Sequence, residues 1–464
     1  MSERRNYLQN VAAQSISRIL SLGANLVTFV LIARSLGAEA FGQFAFLMAY
    51  LNIACSAADL GTTAVLGKGL AQVGTENSSS YLGNFLLLRL CLVLCVTLVA
   101  YAGIFFVDES LESALIVIVI SIPFVSSRFF EPIFQIYERP WNSVHASALY
   151  SLTLLLLAYI LLVLLERPLV DYLYGFMLAS IIYVFAAFYL VLRIVKPELK
   201  IRWTLIRSIL ALSAPVGVAG FFTIINRRAD VIMLNEFHSS YHAGLYSAAY
   251  KLLDLGAVVA VTITTPLIPV LARKLVENRA AARSACVQMM EVLALVLLPL
   301  AIIAPYLADP VVLLLYGSDF MESAEIIGIL AWVFVLIVYS LVGSAINLAV
   351  GDVNHGYWNA ALAAVINVGL NVLVIPEYGF IGAAWTTLAS HLSLLLVSQA
   401  YVYKNMGNLF AGRNMRMIVA MNIMLFLLAS MLNGLGMVWG LMLALPLYVL
   451  AARRWGLVSK SVFS

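Results

Sequence analysis

Charge is the scarcest thing in this sequence: 11% of its 464 residues are Asp, Glu, Lys or Arg, against 63% that are hydrophobic. A soluble domain carries about a quarter charged residues, and enlarging a core does not remove the need for a charged surface. With a mean hydropathy of +1.00, the solvent for most of this chain is lipid. Cysteine is nearly absent too. Cys55, Cys91, Cys95 and Cys286 all fall in apolar runs and read as small packing residues. Cys91 and Cys95 share a helix face, but no second cysteine or histidine pair accompanies them, so neither a metal site nor a cofactor is expected. Long polar loops are also missing. The longest polar connectors, 195–208 and 272–284, are basic and too short to house a catalytic domain, so an enzyme is not expected. They read as orientation signals that touch anionic head groups. The first apolar stretch is too long for a cleaved signal, carries Arg18 and lacks a small-residue cleavage pattern.

What is present is a succession of apolar runs. A helix crossing the hydrocarbon core needs about 20 residues, and open sheet edges do not survive there. Cutting the chain at charge clusters and turn residues predicts an all-α polytopic membrane protein of about fourteen transmembrane helices. The spans are 11–33, 41–66, 81–106, 114–137, 141–165, 169–192, 209–234, 243–271, 287–307, 326–350, 357–375, 381–403, 417–435 and 437–452. Sidedness of charge supports the alternation. With the N-terminus in the cytoplasm, Arg139, Lys196, Lys200, Arg202, Arg273, Lys274, Arg279, Arg283, Lys404, Arg413 and Arg416 all fall inside, while Asp108, Glu109, Asp309, Asp319 and Glu325 fall outside. Both termini are then expected in the cytoplasm.

The two halves echo each other. Gly42-Gln43-Phe44 followed by Asp59-Leu60-Gly61 returns as Gly244-Leu245-Tyr246 followed by Asp254-Leu255-Gly256. Glu112-Ser113-Ala114 returns as Glu322-Ser323-Ala324, and Leu178-Ala179-Ser180 as Leu388-Ala389-Ser390. An even number of helices separates each pair, which makes a parallel repeat about an axis along the membrane normal, as in transporters with a central site. The expected organisation is therefore an N-terminal six-helix bundle (1–200), a second six-helix bundle (201–405) and a terminal helix pair (406–464).

Ionisable residues inside a bilayer are costly and mark function by default. Here they are Arg18, Arg89, Arg128, Arg227, Arg228 and Lys251 with Asp59, Glu131, Asp230, Asp254 and Glu291. In Arg128–Glu131, Arg227–Asp230 and Lys251–Asp254 the cation precedes the acid by three residues on one helix face. Two readings stand: self-neutralising pairs, or members of a polar interior. Arg18 and Arg89 lie about two turns from the cytoplasmic side and can also snorkel, and Arg228 can reach outer water. The acids read either as partners of the arginines or as proton or sodium sites. His145 and His391 read as packing residues, and Asn367 and Asn371 as interhelical hydrogen-bonding glue. Pro215, Gly217 and Gly220 read as a bend or as a packing surface.

The run Ile32-Ala33-Arg34-Ser35-Leu36-Gly37, then Ala40-Phe41-Gly42-Gln43-Phe44 and Ala58-Asp59-Leu60-Gly61, resembles the Wzx-type polysaccharide flippases. Gly244-Leu245-Tyr246 and Pro376-Glu377-Tyr378-Gly379-Phe380-Ile381-Gly382-Ala383-Ala384 extend the resemblance over essentially the whole chain. These flippases form the polysaccharide-transport branch of the multidrug/oligosaccharidyl-lipid/polysaccharide exporter superfamily. The resemblance implies a flippase for lipid-linked oligosaccharide, carried on undecaprenyl pyrophosphate, in the bacterial inner membrane and working by alternating access. Its expected partners are that substrate, membrane lipids and the polymerase or export machinery of the same pathway; no nucleic acid is expected. A pyrophosphate needs desolvated cations, for which Arg18, Arg89, Arg128, Arg227, Arg228 and Lys251 are the candidates by depth and type. A lipid II flippase of the same superfamily is the nearest rival, and a multidrug antiporter, which generally stops at twelve helices, a more distant one.

Overall fold

The computed structural model describes residues 2–106, 111–127, 129–264, 267–350, 354–411 and 413–432 with Pro446 and Tyr448, and backbone alone at 2–19, 75–76, 106, 263, 267, 354–357, 413 and 432. Among these residues there is no strand. The helices are α1 (Ser2–Asp59), α2 (Thr62–Gly103), α3 (Glu112–Val125), α4 (Glu131–Ile136), α5 (Pro140–Ala158), α6 (Leu169–Leu192), α7 (Trp203–Phe237), α8 (Ser240–Thr264), α9 (Leu267–Glu277), α10 (Arg279–Leu315), α11 (Ala324–Val350), α12 (Asn354–Met406) and α13 (Arg413–Leu432). A helix satisfies its own backbone groups, so lipid selects it wherever apolar residues run on.

Among the described residues, ten helices are long and apolar enough to cross a membrane. Two of these segments, Leu20–Gly74 and Trp358–Met406, hold 55 and 49 residues, well beyond one crossing, and each is interrupted. The first leaves helical geometry at Gly37 (φ 74°), Leu60 (φ 41°) and Gly61 (φ 73°), the second at Gly379 (φ 55°). The expected last span, 437–452, lies outside the described residues except for Pro446 and Tyr448.

Two expected spans need correction. The run 41–66 is not one helix, because α1 stops at Asp59 and α2 starts at Thr62. The run 114–137 is divided into α3 and α4. The cause lies after Pro123: the Ser127 hydroxyl takes the Pro123 carbonyl at 2.6 Å, and the Ser127 N–H turns to Phe124 O at 3.2 Å instead. A side chain has replaced the backbone donor that would have continued the helix. Cys91 and Cys95 also depart from expectation. Both are exposed on α2, whereas Cys286 is fully buried.

The chain forms two compact units, Met1–Ser247 and Ala248–Ser464. In the first, α1 packs on α2, α3, α5 and α7, and α6 on α3 and α5. Its core includes Phe41, Phe46, Leu47, Phe85, Leu115, Phe134 and Tyr172. In the second, α11 packs on α9, α10 and α12, and α13 on α10. Cys286, Met290, Ala294, Val342, Val402 and Ile418 form its core.

Lipid tails are as apolar as leucine, so helices in a membrane associate through close packing and hydrogen bonds, with small residues where backbones meet. Gly42 on α1 and Gly244 on α8 are such a pair. A Cβ on Gly42 would lie 1.6 Å from Ser240 O, and one on Gly244 would lie 2.1 Å from Ala38 O. The two glycines that occupy the same place in the sequence echo are therefore pressed against one another. Gly61 and Gly217 form a second crossing: a Cβ on Gly217 would lie 2.1 Å from Leu60 C. Pro215 sits within α7, which continues through it, so Gly217 serves packing. Gly220 has nothing within 4 Å of its would-be Cβ.

The connector between α6 and α7 is strapped to the middle of α2, just past its break at Gly74. Glu198 N–H donates to Ser79 O at 2.9 Å. The fully buried Asn84 amide donates to Lys200 O at 3.0 Å, and its Oδ1 accepts from Arg202 N–H at 2.7 Å. Asn84→Ala would leave both main-chain groups without their partner, a cost of about 1–3 kcal/mol. We expect a lower unfolding temperature in detergent and new protease cleavage within 195–202. An unchanged digestion pattern would show that the strap does not depend on this side chain.

Candidate functional site

The sequence Ala58-Asp59-Leu60-Gly61-Thr62-Thr63 builds the junction of α1 and α2. Leu60 and Gly61 both take positive φ, which reverses the backbone within two residues. Glycine tolerates this conformation and leucine resists it, so the turn needs support. Asp59 supplies it: its Oδ1 accepts from Thr63 N–H at 3.3 Å and from the Thr63 hydroxyl. A carboxylate on the first amides of a helix satisfies donors that have no partner within the helix.

Arg89 on α2 closes the arrangement. It is 5% exposed. Its Nη1 donates to Asp59 Oδ1 at 2.5 Å, to Thr62 Oγ1 at 2.8 Å and to Ala58 O at 3.3 Å. Its Nη2 donates to Ser126 O at 2.5 Å, just past the end of α3, and its guanidinium lies 5.5 Å from the Phe129 ring centre. The planar fork suits a multi-acceptor site that a lysine would not fill. Arg89 does not snorkel to water. It joins α1, α2 and the segment after α3, and its Nη donors are occupied by protein acceptors.

The second buried group is on α7, where Asp230 is fully buried and accepts from Tyr246 Oη at 2.6 Å. Tyr246 on α8 is itself fully buried. The Gly244-Leu245-Tyr246 motif therefore has two physical duties, a backbone crossing and a donor to Asp230. Arg227 and Arg228 are half-buried on the same helix, one turn and less before Asp230, and Asn226 is buried beside them.

The remaining candidates fall out as follows. The side chain of Arg18 and all of Arg128 lie outside the described residues, so the Arg128–Glu131 pair does too; Glu131 Oε1 accepts from Gln135 at 3.3 Å. In the second unit, Lys251 and Asp254 are half-buried on α8. There the tripeptide Asp254-Leu255-Gly256 runs on inside the helix, whereas its echo Asp59-Leu60-Gly61 ends one. Glu291 on α10 accepts from Asn414 at 3.0 Å. Asn371 donates to Asn367 Oδ1 at 3.1 Å and accepts from the Thr386 hydroxyl across the Gly379 break, all three side chains buried, so they join the two arms of α12. His145 is exposed and His391 buried. Among the described residues, no group of three His, Cys, Asp or Glu side chains has the disposition to hold a metal.

Thr62, Thr63, Ser126, Phe129 and Asn84 carry these contacts without having been singled out in the sequence. Thr62-Thr63 has a readable signal, an acid and a glycine ahead of hydroxyl residues at a helix start. Ser126 acts through its backbone carbonyl, which no side-chain pattern announces.

Comparison with known proteins places this geometry. The family described as polysaccharide biosynthesis protein matches residues 7–275. A capsular polysaccharide biosynthesis protein of Staphylococcus aureus, CapF, is 24% identical over 200 residues, 43% of this chain and 50% of that protein. An uncharacterized membrane protein of Methanocaldococcus jannaschii is 23% identical over 129 residues, 28% of this chain and 25% of that protein. The matches thus span half or less of these curated relatives. Among solved structures, the lipid II flippase MurJ in an inward closed conformation aligns with a TM-score of 0.76 at 14% identity, covering 97% of this chain and 99% of that one. An inward-facing multidrug resistance transporter of the MATE family, of the MOP superfamily, aligns at a TM-score of 0.68 and 16% identity, covering 85% of this chain and 98% of that one. The fold is the one these transporters share.

Proposed function

The chain belongs to the polysaccharide biosynthesis protein family, and from that premise we propose that it is a flippase for a lipid-linked oligosaccharide. The observation that carries the reading is the agreement of family and fold: a polysaccharide-family membrane chain whose backbone follows a lipid flippase along 97% of its length. The substrate is an oligosaccharide on undecaprenyl pyrophosphate, moved from the cytoplasmic to the outer leaflet of the inner membrane by alternating access. In this account the chain crosses the membrane about fourteen times, in groups of six, six and two bounded near residues 200 and 405, with both ends in the cytoplasm. No step of covalent chemistry is needed.

The cations divide by role. Arg89 is an organiser, because its Nη donors already serve protein acceptors. Arg227, Arg228 and Lys251, with Arg18 and Arg128, are assigned to the pyrophosphate, whose oxygens favour charge-assisted hydrogen bonds away from water. Asp254 and Glu291 are assigned to ion coupling or local charge balance. Arg227→Ala, Arg228→Ala and Lys251→Ala should each reduce surface polysaccharide at least tenfold at unchanged protein level, since each charged hydrogen bond is worth about 1.5–3 kcal/mol. Full export by all three variants would remove these residues from the substrate path.

The fold match to MurJ favours one second reading, lipid II as the cargo. Deletion separates the two. Loss of a polysaccharide flippase leaves viable cells that lack one surface polymer and accumulate its lipid-linked precursor. Lethality with accumulated lipid II would select the second reading.

A further inference from the structure

A groove of about 520 Å³ lies on the second unit between α10, α11, α12 and α13. Its lining is apolar, with the rings of Trp332, Tyr339 and Phe410, and Arg416 is the one charged residue on it. Another groove of that unit, lined by α8, α10 and α11, has no charged residue in its lining.

The end of the groove that holds Arg416 is a built structure. Arg283 donates from Nε to Met406 O at 2.8 Å and from Nη2 to Asn408 O at 3.0 Å, and Arg279 donates to Asn405 O. These bonds fix the connector between α12 and α13. Phe410 N–H donates to Asn408 Oδ1 at 2.8 Å, and the Phe410 ring sits 5.6 Å from that of Tyr339. Tyr339 is held in turn by its hydroxyl, which donates to Met290 O at 3.1 Å. Arg279 and Arg283 thus serve main-chain carbonyls, while Arg416 is exposed at the groove. The neighbouring acid, Glu291, is engaged by the Asn414 amide at 3.0 Å.

We propose that this groove holds an anionic phospholipid of the cytoplasmic leaflet, with an acyl chain along α11 and α13 and its phosphate at Arg416. Charge complementarity selects the occupant. The segment around Lys404, Arg413 and Arg416 falls on the side that charge distribution assigns to the cytoplasm, where anionic head groups and basic residues meet. A single exposed guanidinium suits one phosphodiester. A pyrophosphate-linked sugar carries more charge and calls for more cations, so the carried substrate is not the occupant.

The test is native mass spectrometry of the full-length protein with phosphatidylglycerol, phosphatidylethanolamine or undecaprenyl phosphate added at equal concentration. The wild type should retain phosphatidylglycerol over phosphatidylethanolamine. Arg416→Gln should reduce that preference about fivefold, the effect of one surface cation near an anionic lipid. Ala294→Phe should lower retention of both phospholipids by filling the groove; if it does not reach the membrane, Val419→Phe at the exposed rim makes the same test. Equal retention of the two phospholipids by the wild type would overturn the proposal, as would retention unaffected by the filling variants. Preferential retention of undecaprenyl phosphate that is lost in Arg416→Gln and in the filling variants would also overturn it, by giving the groove to the carried lipid. A dimer dispersed by Val419→Phe, with no lipid adduct that depends on Arg416, would overturn it in favour of a second copy of the chain.

Discussion

Replacing Arg89 by alanine should remove most of the folded protein from the membrane. Asp59 would lose its cation, and Thr62, the Ala58 carbonyl and the Ser126 carbonyl would lose a shared donor. Removing one partner of a fully buried ion pair costs about 3–5 kcal/mol. The Asp59 side chain is 30% exposed, so the cost falls at or below the lower end of that range. That is still a large share of the about 5–15 kcal/mol that typically separates folded from unfolded protein. The Leu60–Gly61 reversal would lose its support at the same time. Arg89→Lys should fall between, because an ammonium keeps the charge but not the fork that reaches both Asp59 and Ser126. Protein level in membranes and unfolding temperature in detergent check this. Wild-type values for Arg89→Ala would mean that the cluster is dispensable for folding and would return Arg89 to the substrate path.

Gly42→Val should be as damaging, for a different reason. The Cβ position at Gly42 is 1.6 Å from Ser240 O and 2.8 Å from Gly244 N, both backbone atoms. No side-chain movement relieves such an overlap, so α1 and α8 would have to separate and lose the packing that holds helices together in lipid. We expect loss of protein, with Gly244→Val failing in parallel and Gly220→Ala, which meets nothing within 4 Å, close to wild type. Normal accumulation of Gly42→Val would contradict the crossing.

Much of the fold was legible in composition. Apolar runs of bilayer length separated by charged connectors leave little choice but helices, and the breaks near Gly37 and Gly379 fall between expected spans. The failures are local and share a cause. Hydropathy does not register a backbone reversal made of apolar residues such as Leu60-Gly61, nor a serine hydroxyl that takes a carbonyl after Pro123. At the site, residue type marked Arg89 and Asp59 as out of place in lipid and offered arginines as partners of the acids, but not which arginine serves Asp59, because the two lie 30 residues apart on different helices. The three-residue spacing also says nothing of the hydrogen bond that the Asp230 carboxylate accepts from Tyr246 on another helix. The Arg89–Asp59 pair forms through tertiary packing, which helix periodicity does not encode.

The central claim, movement of a lipid-linked oligosaccharide between leaflets, is tested most directly in proteoliposomes. Purified protein would be reconstituted with undecaprenyl-pyrophosphate oligosaccharide, with the sugar enclosed in the lumen-facing leaflet at the start. An added membrane-impermeant glycosidase then reports the sugar that reaches the outside. The expected result is cleavage beyond half of the lumenal pool, faster than in protein-free vesicles and suppressed in a vesicle set carrying Lys251→Ala. Cleavage at the protein-free rate, by a folded and correctly reconstituted protein, would contradict the account.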